Sequence, residues 1–391
     1  MMTKTWNILG LCALISLSAL AEEIPYGMVD VHDPDTQIPD SVRPLFDTPV
    51  RDTQICAAPD GYYYLTGTTA HDGGNFGAWN AGIHVWKSKN LKNWEPLGLV
   101  VDLDKMDSWI SKFYVWPKDY SEPGKVLARE ELPQDPTDLQ RTHHIRRCAW
   151  ANEIHYVPSQ KTYFIVGSMN QNIWTPAAQR IGHGLNGATF MLRSISGKAE
   201  GPYVDVQPDR PMTGEIDSSL FVDDDGTGYF VYQAHGIARI KDDFSGLAEK
   251  PRETHFKPIK GVRHKEGAYL FKANGKYCYV TTSWSVEKEG SDLYTYDHSK
   301  GMEVYSYDPL LAMSDNVYGP YGEMRNTLSG GGHGNFFQDR DGGWWACIFW
   351  NPRNQNNPPG LHTRPAIVAM KWTKDGRFVV DKQRTDEFYA D

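Results

Sequence analysis

Four ionisable side chains stand at one fixed distance from four turns. Asp52 lies eight residues before Asp60-Gly61, Asp217 eight before Asp225-Gly226, Glu266 eight before Asn274-Gly275, and His333 eight before Asp341-Gly342. In a fifth, weaker copy, turning at Ser159-Gln160-Lys161, the matching place falls at Asn152 or Glu153. A single aspartate ahead of an apolar run is ordinarily a turn or cap residue. Four matches at one offset, in stretches that otherwise differ, argue for a shared purpose. Carboxyl groups facing one another can do acid–base work: one gives a proton to a departing oxygen and the other takes a proton from water. A third carboxylate beside the acid helps it hold its proton, and partial burial acts in the same direction.

The elements that must position these groups are short strands rich in Tyr, Phe, Val and Trp, separated by Asp-Gly or Asn-Gly turns. The unit recurs as Asp60-Gly61-YYYLTGT, Asp225-Gly226-TGYFVYQ, Asn274-Gly275-KYCYVTTS and Asp341-Gly342-GWWACIFW, with the weaker copy at Lys161-TYFIVGS. Long amphipathic helices are absent from the pattern. Such a recurrence across the chain predicts an all-β fold, a five-bladed β-propeller built from blades of about four strands each. In a propeller the first strand of each blade lines the central axis, so equal offsets from equal turns predict equal depth around one pocket. Residues 105–147, with Trp109, Trp116 and four prolines, read as a long insertion between blades one and two, expected as a surface loop. SGGGHG at 329–334 leads into a strand, whereas a phosphate-cradling loop opens a helix. Its glycines suit close backbone passage beside His333.

Of the 391 residues 40% are hydrophobic, enough for one large core or two ordinary ones. Residues 1–21 read as a secretory signal, with Lys4, an apolar run, and small residues at Ala19-Leu20-Ala21. This predicts a secreted or periplasmic protein whose catalytic domain spans residues 22–391, with no later segment near the ~20 apolar residues of a membrane span. The net charge of −9, with no basic block, excludes the usual nucleic-acid footprint. Thirteen Trp and 21 Tyr suit sugar rings, whose flat C–H faces lie against aromatic rings, although strands use aromatics anyway. Cys56, Cys148, Cys278 and Cys347 follow the leader, and the sequence assigns no bridge among them.

RDTQI with DGYYYLTGT, WANEIHY, IDSSLFVDDDG, KEGAYLFKANGKYCYVTTS and GHGNFFQDRDGGWW resemble, in order and spacing, the five-bladed propeller glycosidases of glycoside hydrolase family 43. The resemblance runs from about residue 48 to about residue 385. It implies an inverting hydrolase with Asp52 as general base, Glu266 as general acid and Asp217 tuning and orienting the acid. It also implies that His333 lies near the axis, where some relatives hold a calcium ion, and that Arg364 reaches the substrate. Trp150, Glu153, Trp79 and Trp284 complete the candidate substrate-binding set. Thr53, Asn152, Ser218 and Ala268 stand where the family commonly has proline, which marks a divergent branch and bears on sugar specificity more than on chemistry. The expected ligand is an oligosaccharide or polysaccharide carrying arabinofuranosyl or xylosyl groups. The protein is expected to act as a monomer with no required cofactor. The alternatives are a glycosidase for galactose or other algal sugars, a non-catalytic carbohydrate-binding propeller, and a retaining hydrolase.

Overall fold

The computed structural model describes residues 33–69, 79–119, 121–122, 124–170, 187–256, 265–285, 306–349 and 364–390. The leader at 1–21 lies outside them. Among the described residues the chain forms five four-stranded antiparallel sheets and one three-stranded sheet.

Sheet one holds β1 Val50–Ala57, β2 Tyr63–Thr69, β3 Gly82–Ser88 and β4 Glu95–Asp102. The small sheet follows, with β5 Phe113–Pro117, β6 Lys125–Leu127 and β7 His143–Arg146. Sheet two comprises β8 Ala149–Val157, β9 Thr162–Met169, β10 Ala188–Ser194 and β11 Tyr203–Asp205. Sheet three comprises β12 Ser219–Val222, β13 Gly228–Tyr232, β14 Gly236–Arg239 and β15 Arg252–Glu253. Sheet four comprises β16 Lys265–Ala273, β17 Lys276–Ser285, β18 Ser306–Ser314 and β19 Arg325–Asn326. Sheet five comprises β20 Phe336–Gln338, β21 Trp344–Phe349, β22 Pro365–Trp372 and β23 Phe378–Val380. Each four-stranded sheet is a meander whose strands neighbour one another in chain order, the arrangement that tight turns between strands produce.

Both faces of these sheets are covered, so the central strands are largely apolar, with a few buried hydroxyl residues among them; β2 and β9 are buried along their whole length. Side chains alternate across a strand, and each sheet lends one face to each neighbour. Ile83 and Val85 meet Ile154 and Phe190 between sheets one and two. Phe164 and Val166 meet Leu220 and Phe230 between two and three, and Val231 meets Leu270 and Tyr279 between three and four. Phe271 meets Phe336 and Val368 between four and five. Ile55 and Leu65 then meet Phe337, Trp345 and Ile367, so sheet five packs back on sheet one. The first strands neighbour one another in the same sequence: β1 touches β8 and β20, and β12 touches β8 and β16.

Residues 113–146 are not the surface loop expected from their prolines and charges. Phe113, Val115 and Ile145 form a buried face with Leu132, joined by Trp79, Leu127 and Leu139, and this apolar set is large enough for a small core of its own. A short helix, α1 Thr137–Thr142, leads into β7. Arg147 fastens this unit to sheet one: fully buried, it bonds Asp104 and lies 4.0 Å over the Phe113 ring. The C-terminal helix, α2 Lys382–Tyr389, is capped by Asp381 and closes on sheet five. Cys56, Cys148, Cys278 and Cys347 are free thiols, pushed up in pKa by burial.

Candidate active site

The candidate carboxylates sit where the first strands break register. In β1 the pairing slips between Arg51 and Gln54, and Asp52 inside that bulge has φ +51°. A positive φ is uncommon outside glycine, and aspartate tolerates it better than most residues. A bulge re-aims the side chain it carries. The irregularity recurs in β8 between Trp150 and Glu153, with Ala151 at φ +48°, and in β16 between Glu266 and Tyr269, with Gly267 at φ +66°. Asp217, two residues before β12 begins, has φ +55°.

This repeat corrects one step of the sequence reasoning. Asp52 and Asp217 take the left-handed position itself, whereas Glu266 stands one residue earlier, in the place of Arg51 and Trp150. The cause is turn length. Ala57 pairs with Tyr63 and Val222 with Gly228 across five-residue loops, but Ala273 pairs with Lys276 across Asn274-Gly275 alone. The strand arm in sheet four is correspondingly longer, so an equal count from the turn reaches a different level. In sheet two the matching residue is Ala151, not Asn152 or Glu153. Asn152 donates to Gly67 O at 2.9 Å and to Ala149 O at 3.2 Å, which ties two sheets together.

Side chains from four sheets nevertheless gather at one place. His333 is 5% exposed, with Nδ1 3.7 Å from Asp52 Oδ1 and 3.9 Å from Asp217 Oδ2. Asp217 Oδ2 accepts the Gly267 N–H at 3.0 Å, which brings Asp217 beside the residue that follows Glu266. Tyr307 in β18 donates to Glu266 Oε1 at 2.7 Å. Thr68 in β2 donates to Asp52 Oδ2 at 2.8 Å. Gly267 is required for closeness as well as for its φ. A Cβ there would lie 2.4 Å from Thr282 Oγ1 and 2.9 Å from His333 Cδ2.

The electrostatics follow from burial. Loss of water pushes the Asp217 carboxyl up to about 7; protonated His333 opposes this, while Glu266 and Asp52 reinforce it. Burial pushes His333 down, but the carboxylates of Asp217, Asp52, Glu153 and Glu266 more than offset it, and the net shift is upward. These groups are close enough to titrate as a unit. Burial, with Glu266 next, holds the Tyr307 phenol well above its usual range, so it stays a donor.

The other candidates are distributed more widely. Glu153 is 4% exposed, with Oε2 2.8 Å from His155 Nε2. Trp150 is half-buried in β8. Trp79 packs edge-on to Phe113, 6.0 Å between centroids, and so belongs to the core of the small sheet. Arg364 donates Nε to Asp47 Oδ1 at 2.6 Å. Trp284 lies in β17, but its side chain lies outside the described residues. For a calcium ion the test is the donor set, since calcium takes about 6–8 oxygens at ~2.3–2.6 Å. Among the described residues no group of three or more His, Cys, Asp or Glu stands where it could hold an ion.

Sequence reasoning did not single out Thr68, Gly267 or Tyr307. Gly267 carried a signal, a glycine directly after a candidate acid. The two hydroxyl residues carried none, because their reach depends on which strand lies alongside.

Known proteins resemble this chain in sequence and in fold. The sequence pattern of "Glycosyl hydrolases family 43" matches residues 128–378. A putative beta-xylosidase of Escherichia coli (strain K12) is 22% identical over 320 residues, which are 76% of this chain and 46% of that protein. The chain thus spans about half the length of the curated relative it matches. A mutant of the GH43 protein BlXynB from Bacillus licheniformis superposes with a TM-score of 0.56 at 21% identity, covering 87% of this chain and 56% of the other. A xylan beta-1,4-xylosidase from Bacillus halodurans C-125 gives 0.56 at 17% identity, with 87% and 56% coverage. An exo-1,5-alpha-L-arabinanase from a bovine ruminal metagenomic library gives 0.52 at 16% identity, with 88% and 99% coverage. At these identities the structural likeness is one of fold. With the family's pattern matched over more than half of its length, the chain belongs to glycosyl hydrolase family 43.

Proposed function

We propose that this protein is an exported inverting glycosidase that removes a terminal α-L-arabinofuranosyl or β-D-xylosyl group from plant or algal oligosaccharides or polysaccharides. Its five four-stranded sheets act as the blades of a five-bladed propeller, and the substrate sugar enters where their first strands meet. The observation that carries the reading is the convergence of Asp52 and Asp217, from separate sheets, on the buried His333, with Glu266 beside them through Gly267. Family membership supports glycoside hydrolysis, and relatives described as xylosidases and an arabinanase support a pentose.

In this mechanism Glu266 delivers its proton to the glycosidic oxygen as the bond to the anomeric carbon breaks. Asp52 takes a proton from a water attacking the opposite face of the sugar. The two carboxyls of an inverting enzyme stand ~6.5–9.5 Å apart to admit that water. Thr68 and His333 flank the Asp52 carboxylate. Asp217 lies beside the acid, accepting the N–H of the residue that follows Glu266, and helps to hold that stretch in place.

Glu266→Gln provides the test. Turnover of unactivated xylo- or arabino-oligosaccharides should fall by about 10²–10⁴, the usual contribution of a general acid. Aryl glycosides with good leaving groups should retain most of theirs. Equal losses on both would remove Glu266 from the role. Proton NMR of the first product should show the anomer opposite to the substrate's, and retention would remove Asp52 as base.

A further inference from the structure

Behind the carboxylates runs a set of buried hydroxyls at matching register. Thr68 pairs with Arg51, Ser168 with Trp150 and Thr282 with Glu266, so each second strand places one hydroxyl residue beside the bulge of its own sheet. All three are almost fully buried. Two of them also receive the amide of a positive-φ residue of the next sheet: Ala151 N–H donates to Thr68 Oγ1 at 2.7 Å, and Asp217 N–H to Ser168 Oγ at 3.2 Å.

At Thr68 this fixes a direction. A hydroxyl carries one hydrogen and two lone pairs. With the Ala151 amide as donor into Oγ1, the Thr68 hydrogen is left for Asp52 Oδ2, 2.8 Å away. The polarity cannot reverse, because the amide only donates and an ionised carboxylate only accepts. From this geometry we infer that Thr68 is the positioning residue of the base. The chain Ala151 N–H to Thr68 O–H to Asp52 locks one carboxylate oxygen and turns the other, Oδ1, towards His333. The inference rests on the reading of Asp52 as base. It adds that sheet two, through one backbone amide, sets the orientation of a group carried by sheet one.

Thr68→Val keeps the shape and removes the hydroxyl; Thr68→Ser keeps the hydroxyl. Both variants are assayed on p-nitrophenyl β-D-xylopyranoside and p-nitrophenyl α-L-arabinofuranoside beside wild type and Asp52→Asn. A misplaced catalytic group costs up to about 10²-fold, so the valine variant should lose about tenfold to a hundredfold in kcat, with KM within about twofold. Serine should restore activity to within about threefold of wild type. A crystal structure of the valine variant should show the Asp52 carboxylate rotated away from its wild-type plane, and this readout stands whichever aryl glycoside is cleaved. A valine variant with wild-type kcat, or with Asp52 unmoved, overturns the inference. A fall in kcat that serine does not restore overturns it too. If Asp52→Asn is inactive while Thr68→Val matches wild type, only this inference fails. If Asp52→Asn stays active, the assignment of the base fails first.

Discussion

The Asp217 carboxyl should impose a measurable pH dependence on the stability of the whole protein, and Asp217→Asn should remove it. Asp217 is 6% exposed, and burial raises its pKa from 3.8 to about 7. For an acid whose folded pKa is raised, the ionised form is the penalised one. The unfolded chain sheds the proton first as pH rises, so stability falls across the window from 3.8 to about 7 and levels off above it. Between pH 5 and pH 8 the group spans about two pH units of that window, worth about 2.7 kcal/mol at ~1.36 kcal/mol per unit. His333 acts in the same sense. Its raised pKa contributes stability that is fully present below its unfolded value and is lost as pH rises through the folded one. Asparagine removes the first effect and takes from His333 the largest of the charges that raise it, while its amide oxygen can still accept the Gly267 N–H. Equilibrium urea unfolding of both proteins at pH 5 and pH 8, followed by tryptophan fluorescence, reads these effects because titrations away from the cluster cancel in the difference. The variant should gain about 2–3 kcal/mol on wild type in going from pH 5 to pH 8. A gap that stays constant, or that moves the other way, would refute the claim that Asp217 is an ionisable group held out of water.

Two further outcomes follow from the same cluster. Gly267→Ala forces a Cβ within 2.4 Å of Thr282 Oγ1 at φ +66°; it should cost about 1–3 kcal/mol in chemical unfolding and lower kcat, and a wild-type unfolding midpoint would contradict the close approach. The His333 ring protons, followed by NMR against pH, should titrate above the usual 6.5 in wild type and lower in Asp217→Asn, since Asp217 is the foremost of the charges that raise it; an unchanged midpoint would separate the two side chains.

What could be read from the chain alone was what local pattern controls. Tyr-, Val- and Phe-rich runs bounded by Asp-Gly and Asn-Gly specify strands and turns through propensity and backbone sterics, and every one of the five copies is a strand pair in the structure. The convergence of Asp52, Asp217 and His333 was legible because their sheets share five-residue loops, so counting from the turn measures true position. Glu266 was found by the same count for a partly different reason: a shorter turn and a longer arm shift it one place, and Gly267 rather than Glu266 occupies the bulge. Residues 113–146 escaped because their apolar positions are spread over three short strands and a helix turn that only tertiary pairing assembles.

The hydroxyls of Thr68 and Ser168 escaped for a deeper reason. Their donors, the amides of Ala151 and Asp217, lie on the following sheet, 83 and 49 residues away in the chain. Whether a threonine inside an apolar strand meets a bulge amide depends on sheet-to-sheet register, which no local pattern encodes. The carboxylates are thus specified one sheet at a time, whereas their orientation is specified between sheets. A substitution at Ala151, which has no functional side chain, should disturb Asp52 when it shifts that amide.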